Sequence, residues 1–393
     1  MLLNMHTSLY DLSPLLRMMF MGLVLAAGPL LWVYLRNRRT GPVGRMQALL
    51  MVTLFLTFDL VLFGSFTRLS DSGLGCPDWP GCYGSATPIG AKAQIGAAQA
   101  AMPTGPVTHG KAWVEMVHRY LATGVGVLIV VLTLSSWLTR KARGHSHGIN
   151  PWWPTVTLVW VCIQGAFGAL TVTMKLFPAI VTLHLLGGYV LLALLAGQTA
   201  ALRMRAQQKS RVLLPASGYV WLATALGLLV VQALSGAWVS TNYAVLACTE
   251  FPQCQGGWWP DMDFSGGFEL WRPLGLAADG TAIRFQALTA IHFSHRLLAG
   301  LTFLVVGALA VHLSRHPGLQ RHAKWLGGLL LLQAVTGISN VVLGWPLLAA
   351  VLHTGGAGAM IALLVALLVT TRVQPDALEV FQRSPAFPRR LTE

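Results

Sequence analysis

The chain has 393 residues, of which 54% are hydrophobic and only 10% charged, where an ordinary soluble domain carries about 25% charged residues. That balance excludes a disordered chain, a coiled coil and a typical cytosolic enzyme, and points to a bundle of membrane-spanning helices. The net charge of +14, from 27 basic and 13 acidic residues, would suggest nucleic acid in a soluble protein; here it asks which connections hold the basic residues.

A helical span needs about 20 mostly apolar residues. Nine segments qualify: 18–35, 46–66, 114–138, 154–174, 178–201, 217–240, 288–313, 325–345 and 347–371. The first is short, but it is no secretory signal, because Arg36-Asn37-Arg38-Arg39 follows it where a small-residue cleavage site belongs. The preceding residues lack a mitochondrial transit pattern as well.

Eighteen basic residues fall in alternate connections and the C-terminal tail, among them Arg36, Arg38, Arg39 and Arg45, then Arg140, Lys141 and Arg143, then Arg203, Arg205, Lys209 and Arg211, then Arg315, Arg321 and Lys324. The other connections hold most of the acids, including Asp71, Asp78, Glu250 and Asp261. By the positive-inside rule the first set is cytoplasmic, so the N-terminus faces out and the tail faces in. Scattering over separate short loops speaks against nucleic-acid binding. The two long outer connections, about 67–113 and 241–287, are rich in Gly, Pro and Trp and show no helical periodicity. Trp79, Trp113, Trp152, Trp258, Trp259, Trp271 and Trp345 stand near span ends, as rings of an aromatic belt do.

Landmarks recur along the chain. Gly64 and Gly236, Cys76 and Cys248, and Cys82 and Cys254 are each 172 residues apart. Gln164 and Gln333, with Gly168 and Gly337, and His184 and His353 are 169 apart; His118 and His295, each followed by Arg, are 177 apart. This order predicts an all-α polytopic membrane protein of two parallel-repeated four-helix bundles (eight core transmembrane helices) and one extra N-terminal transmembrane helix. The expected divisions are 1–45 (extra span and linker), 46–211 (N-terminal half), 212–371 (C-terminal half) and 372–393 (cytoplasmic tail).

Of twelve histidines, His6, His109, His145, His147, His312, His316 and His322 fall in loops, tails or span ends. The run around His145 and His147 reads as a solvated loop, since two ligands do not close a metal site. His118, His184, His295 and His353 instead lie four to seven residues inside spans that begin at the outer surface, about 6–10 Å down. Ionisable groups there are costly and usually functional. Two imidazoles from facing helices are what a six-coordinate haem iron needs. Gly187, Gly188, Gly355 and Gly356 would let a planar macrocycle approach the backbone, and Arg119 and Arg296 could meet propionates or snorkel to the interface. The repeat is broken where Glu115 stands opposite His292, each three residues before its histidine. A buried carboxylate beside a metal cofactor reads as a proton acceptor or polar substrate contact. A di-iron bundle would need further intramembrane Glu residues, and Asp59 is the only other acid within a span.

Cys76 and Cys82, and Cys248 and Cys254, share a spacing of six on the outer side, where disulfides persist. Short-loop disulfides are the main reading; zinc binding fits the spacing poorly, and a redox-active pair stays open. Cys162, in mid-span, reads as a small apolar core residue.

Over residues 46–371 the chain resembles the haem A synthase family of bacterial membranes and mitochondria. The resemblance rests on Gly64-Ser65-Phe66-Thr67-Arg68-Leu69, Asp71-Ser72-Gly73-Leu74, Cys76-Pro77-Asp78-Trp79-Pro80, Glu115-Met116-Val117-His118-Arg119, Leu183-His184, His295-Arg296 and His353. It implies oxidation of the methyl group at ring position 8 of haem O to a formyl group, giving haem A for terminal oxidases. It implies haem b on His295 and His353, substrate haem O at His118 and His184 with Glu115 as the catalytic group, and cysteines paired within each loop. It further implies residence in the bacterial inner membrane with the sites toward the periplasm, an unidentified electron acceptor, and association with haem O synthase, with terminal-oxidase assembly or with a second copy. Two other readings remain: a di-haem, quinol-oxidising electron-transfer subunit, which needs neither Glu115 nor the cysteine loops, and a haem transporter.

Overall fold

The computed structural model describes residues 13–141 and 149–374. His6, the His145–His147 run and nearly all of the 372–393 tail lie outside the described residues. In chain order the helices are α1 (Ser13–Arg36), α2 (Gly41–Leu69), α3 (Lys92–Ala101), α4 (His109–Lys141), α5 (Trp152–Thr173), α6 (Pro178–Ala206), α7 (Ala216–Thr241), α8 (Phe264–Gly267), α9 (Phe285–Ser314), α10 (Gln320–Val342) and α11 (Leu347–Thr370). All but α3 and α8 are long and apolar enough to cross a membrane, nine among the described residues. Each predicted span is one of these helices, with ends differing by five residues at most. The additional turns are polar, and continuing the helix satisfies backbone groups that lipid could not.

The protein is an all-α integral membrane protein. In the first half, α2 and α5 each pack on both α4 and α6; in the second, α9 packs on α7 and α10, and α11 on α10 and α7. The halves meet through α6 and α2 against α11, and α6 against α7. The offsets seen in the sequence recur in the backbone. Asp71 and Tyr243, just past α2 and α7, both have left-handed φ, at 50° and 54°. The α5–α6 and α10–α11 turns use left-handed pairs, Lys175-Leu176 and Gly344-Trp345.

At the end carrying the cysteine loops, Arg68 Nη2 donates to Ser240 O at 2.6 Å, its guanidinium lies 4.1 Å over the Tyr243 ring, and the Tyr243 hydroxyl donates to Asp71 Oδ1 at 2.6 Å. Deeper in the interface, the Tyr189 hydroxyl donates to Thr354 O at 2.8 Å. At the opposite end, two short strands, β1 (Val212–Leu214) and β2 (Thr371–Val373), pair in parallel with Val212 against Thr371.

Helix α1 stands outside both halves and packs on α4 and α2. Gly22 permits the contact, since a Cβ there would overlap Thr123 of α4, the small-residue logic of helix association in lipid. Ala26 and Val33 share a buried cluster with Val125, Leu128, Ile129 and Leu132. Met18 is buried with Cys76 and Cys82, so this helix covers the outer face of α4 and touches the first cysteine loop.

Two expectations are corrected. The first long connection contains α3, whose Ala and Gln residues favour helix while only Ile95 is buried, so no apolar period announces it. Cys162 is exposed on α5 rather than in the core. Helix α5 packs on α4 and α6, and its outward stripe tolerates a thiol because a thiol behaves as a small apolar group.

Candidate functional site

His118, His184, His295 and His353 are each half-buried, and each sits against a glycine of the neighbouring helix. A Cβ at Gly64 of α2 would lie 2.9 Å from Cε1 of His118 on α4, and one at Gly236 of α7 the same 2.9 Å from Cε1 of His295 on α9. The corresponding distances are 3.5 Å from Gly168 of α5 to His184 on α6, and 3.2 Å from Gly337 of α10 to His353 on α11. Contacts near 3 Å leave no room for a methyl group, so these glycines are seats for the rings. The histidine-bearing helices of each half are bridged by the other two, α4 and α6 by α2 and α5, and α9 and α11 by α7 and α10. Helices α4 and α9 begin a turn earlier than expected, which puts the rings about 9–15 Å from their helix starts.

The pairs differ in their hydrogen bonds. His295 Nδ1 lies 2.8 Å from Ser235 Oγ, and His353 Nδ1 lies 3.0 Å from Thr336 Oγ1. Nδ1 of His118 and of His184 is buried without a hydrogen-bond partner, and the Phe63 ring stacks on His118 at 6.2 Å between centroids.

The glycine pairs expected to admit a macrocycle are filled by protein instead. A Cβ at Gly187 would meet the Gln164 amide, one at Gly356 the Gln333 amide, one at Gly355 Leu62 and Phe58, and one at Gly188 Val61. They allow helices to close on one another.

Glu115 and Arg119 are buried and joined in an ion pair. The Glu115 carboxylate also accepts from the backbone N–H of Cys76 at 2.8 Å. Arg119 Nη1 donates to the carbonyls of Asp78, Pro80 and Gly81 at 3.0, 3.2 and 2.6 Å. Arg296 does the equivalent work in the second half, reaching Glu250 O, Gln253 O and Cys248 O at 2.8, 3.1 and 2.8 Å, while its Nε donates to His292 at 3.3 Å. Both arginines thus anchor the loops directly above their histidines; in this structure their donors go to loop carbonyls. Each loop is closed by a disulfide, Cys76–Cys82 and Cys248–Cys254. An acidic side chain caps each loop's turn: Asp78 accepts from the N–H groups of Tyr83 and Gly84 at 2.6 and 2.7 Å, and Glu250 from that of Gly256 at 3.0 Å. This loop–arginine hook was not legible beforehand, although the His-Arg dipeptide repeated at an offset of 177 was its trace.

Among the described residues no group of three or more His, Cys, Asp or Glu side chains is placed to hold a metal ion. The donors at hand among the described residues are therefore one imidazole from each of two helices in each half. That donor set suits an iron whose other four ligands come from a macrocycle, and so it fits a haem.

Comparison with known proteins agrees. The family model described as cytochrome oxidase assembly protein matches residues 47–367. A protein of Shewanella oneidensis named Heme A synthase is 37% identical over 320 residues, covering 81% of this chain and 94% of its own length. Proteins of the same name from Caulobacter vibrioides and Halalkalibacterium halodurans are 27% and 25% identical, covering 85% and 79% of this chain and 97% and 89% of their own lengths. Two matched four-helix halves, paired intramembrane histidines and this similarity along most of the sequence together assign the chain to the haem A synthase family of cytochrome oxidase assembly proteins.

Proposed function

We propose that this chain is a haem A synthase that oxidises the ring-position-8 methyl group of haem O to a formyl group, with the two halves (46–211 and 212–371) dividing the work. The observation that carries the reading is the duplication of a glycine-seated imidazole pair, with hydrogen-bonded rings in only one copy. His295 and His353 hold haem b, which supplies one-electron redox chemistry when bound. His118 and His184 receive the substrate haem O.

Glu115 is the group best placed to manage protons, because it is the one intramembrane carboxylate on a histidine-bearing helix and lies one turn from His118. Removing two electrons and one proton from the methyl group leaves an electron-poor carbon that water traps as a hydroxymethyl group, Glu115 accepting a proton released there; removal of two more electrons and two protons gives the formyl group, and an external electron acceptor takes all four electrons. Arg119 holds that carboxylate in place. The disulfide loops close the sites from above and, by the charge distribution, face the periplasm of the inner membrane.

Expression in cells that lack a synthase, followed by extraction of haems, tests the reading. Haem A should appear with this chain and be absent without it. Accumulated haem O with no haem A would overturn the assignment; purified protein holding haem b alone would instead favour an electron-transfer subunit.

A further inference from the structure

We propose that the residue preceding each seat glycine decides which half keeps its haem, so that Ser235 and Thr336 lock the cofactor pair while Phe63 and Phe167 leave the substrate pair free to exchange. The inference rests on the division of labour proposed above and concerns how the chain enforces it.

The hydroxyl hydrogens are already committed. Ser235 Oγ donates to Gln232 O at 2.8 Å, and Thr336 Oγ1 donates to Leu332 O at 2.7 Å. With the hydrogens on those carbonyls, each oxygen accepts from the imidazole beside it, which places the ring hydrogen of His295 and of His353 on Nδ1. That fixes one tautomer in both rings and leaves Nε2 as the lone-pair nitrogen for iron. An accepted Nδ1–H also makes the imidazole a more basic ligand and fixes its orientation. Gln232 stands at the same nitrogen: its Nε2 lies 3.1 Å from His295 Nδ1 while its Oε1 is buried and unpartnered, so the amide satisfies both groups only with its O and N exchanged. Turning Oε1 toward the ring gives that nitrogen a second acceptor.

The first half lacks every one of these groups. At an offset of 172, Phe63 replaces Ser235 and Leu60 replaces Gln232; at 169, Phe167 replaces Thr336. The seat glycines themselves are kept, as Gly64 and Gly168. Hence Nδ1 of His118 and of His184 is buried with no partner. These rings are seated but not tautomer-locked and are weaker ligands, as suits a site whose occupant must arrive as substrate and leave as product.

The test uses the full-length purified protein and three readouts: the low-spin haem b spectrum, its midpoint potential, and the rate of haem transfer to excess apomyoglobin. Ser235→Ala with Thr336→Ala should speed haem loss by roughly 10–100-fold per position and raise the potential, because a less basic ligand stabilises ferric iron less. Ser235→Thr with Thr336→Ser keeps both hydroxyls and should behave as the parent does. If the alanine variant purifies without haem while the Thr/Ser swap retains it, the loss belongs to the hydroxyls; loss in both variants overturns the lock, as does an alanine variant with unchanged rate and potential. In a His295→Ala, His353→Ala background, added ferric haem should leave the N-terminal pair at least about tenfold more slowly after Phe63→Ser with Phe167→Thr; equal rates overturn the proposal. A parent protein with no histidine-dependent haem spectrum at all would refute the functional reading itself, an outcome distinct from these.

Discussion

Replacing Gly236 by alanine is the sharpest probe of the ring seats. The new Cβ would lie 2.9 Å from His295 Cε1, well inside the 3.5–4.0 Å at which carbon atoms pack best. Either the ring or α7 must move by several tenths of an ångström, and ligand geometries tolerate only about 0.5 Å. Overpacking of this kind costs about 1–3 kcal/mol, which corresponds to roughly 5- to 150-fold in haem affinity. The helix itself should not suffer, since Gly→Ala favours a helix interior by about 1 kcal/mol. Gly227, on the same helix with nothing within 4 Å of its Cβ position, is the internal control. The other seats grade the effect: Gly337→Ala, at 3.2 Å from His353, should lose less, and Gly168→Ala, at 3.5 Å from His184, should be nearly silent. The assay is haem b per chain and the reduced-minus-oxidised spectrum of purified variants, with thermal melting run alongside. Full haem content in Gly236→Ala, or equal losses in Gly236→Ala and Gly227→Ala, would refute the steric argument.

Glu115→Gln should leave both haems bound and the fold intact while lowering haem A formation by about 10²–10⁴-fold; unchanged conversion would end the proton role. Arg119→Met leaves Glu115 buried without its partner and frees three loop carbonyls, which should cost about 3–5 kcal/mol. Melting of that variant should recover in large part when Glu115→Gln is added, and a double variant no more stable than the single one would contradict the pairing. Gly22→Leu should separate α1 from α4, read as loss of a cysteine cross-link between positions engineered on the two helices, with the haem b spectrum unaffected. A cross-link that still forms would mean α1 is held by contacts other than this one.

The spans and their repetition were legible because apolar length and fixed offsets survive in one dimension. The histidines were legible for a related reason: an ionisable side chain in the outer portion of each of four apolar helices is not random. What the sequence hid was direction. Gly64 and Gly236 stood out as landmarks, yet only the packed helices reveal that a histidine ring rests on each. Gly187 and Gly356 looked like openings, and glutamine amides fill them. Arg119 and Arg296 have the charge to meet an anion, but carbonyls from a loop some forty residues away in sequence take up their donors. The exchange of Ser235 for Phe63 is readable at the offset of 172, though its meaning depends on knowing which atom points at the neighbouring Nδ1. Helix α3 escaped because a short Ala- and Gln-rich helix that buries only Ile95, against the start of α4, has no membrane to impose a pattern on it.

The contact that joins the halves at the loop end carries an implication about symmetry. Arg68 and Ser240 occupy the same place in the two repeats, as do Asp71 and Tyr243. They meet across the interface, Arg68 on Ser240 O and over the Tyr243 ring, and Tyr243 on Asp71. In a dimer of identical four-helix units such positions would face their own copies, setting arginine against arginine and aspartate against aspartate. The bridge therefore exists only because one polypeptide contains both halves and has let them diverge. It joins unlike partners, a set of contacts that two copies of either half would not reproduce. Covalent fusion here confers more than proximity: it fixes which half faces which across this bridge.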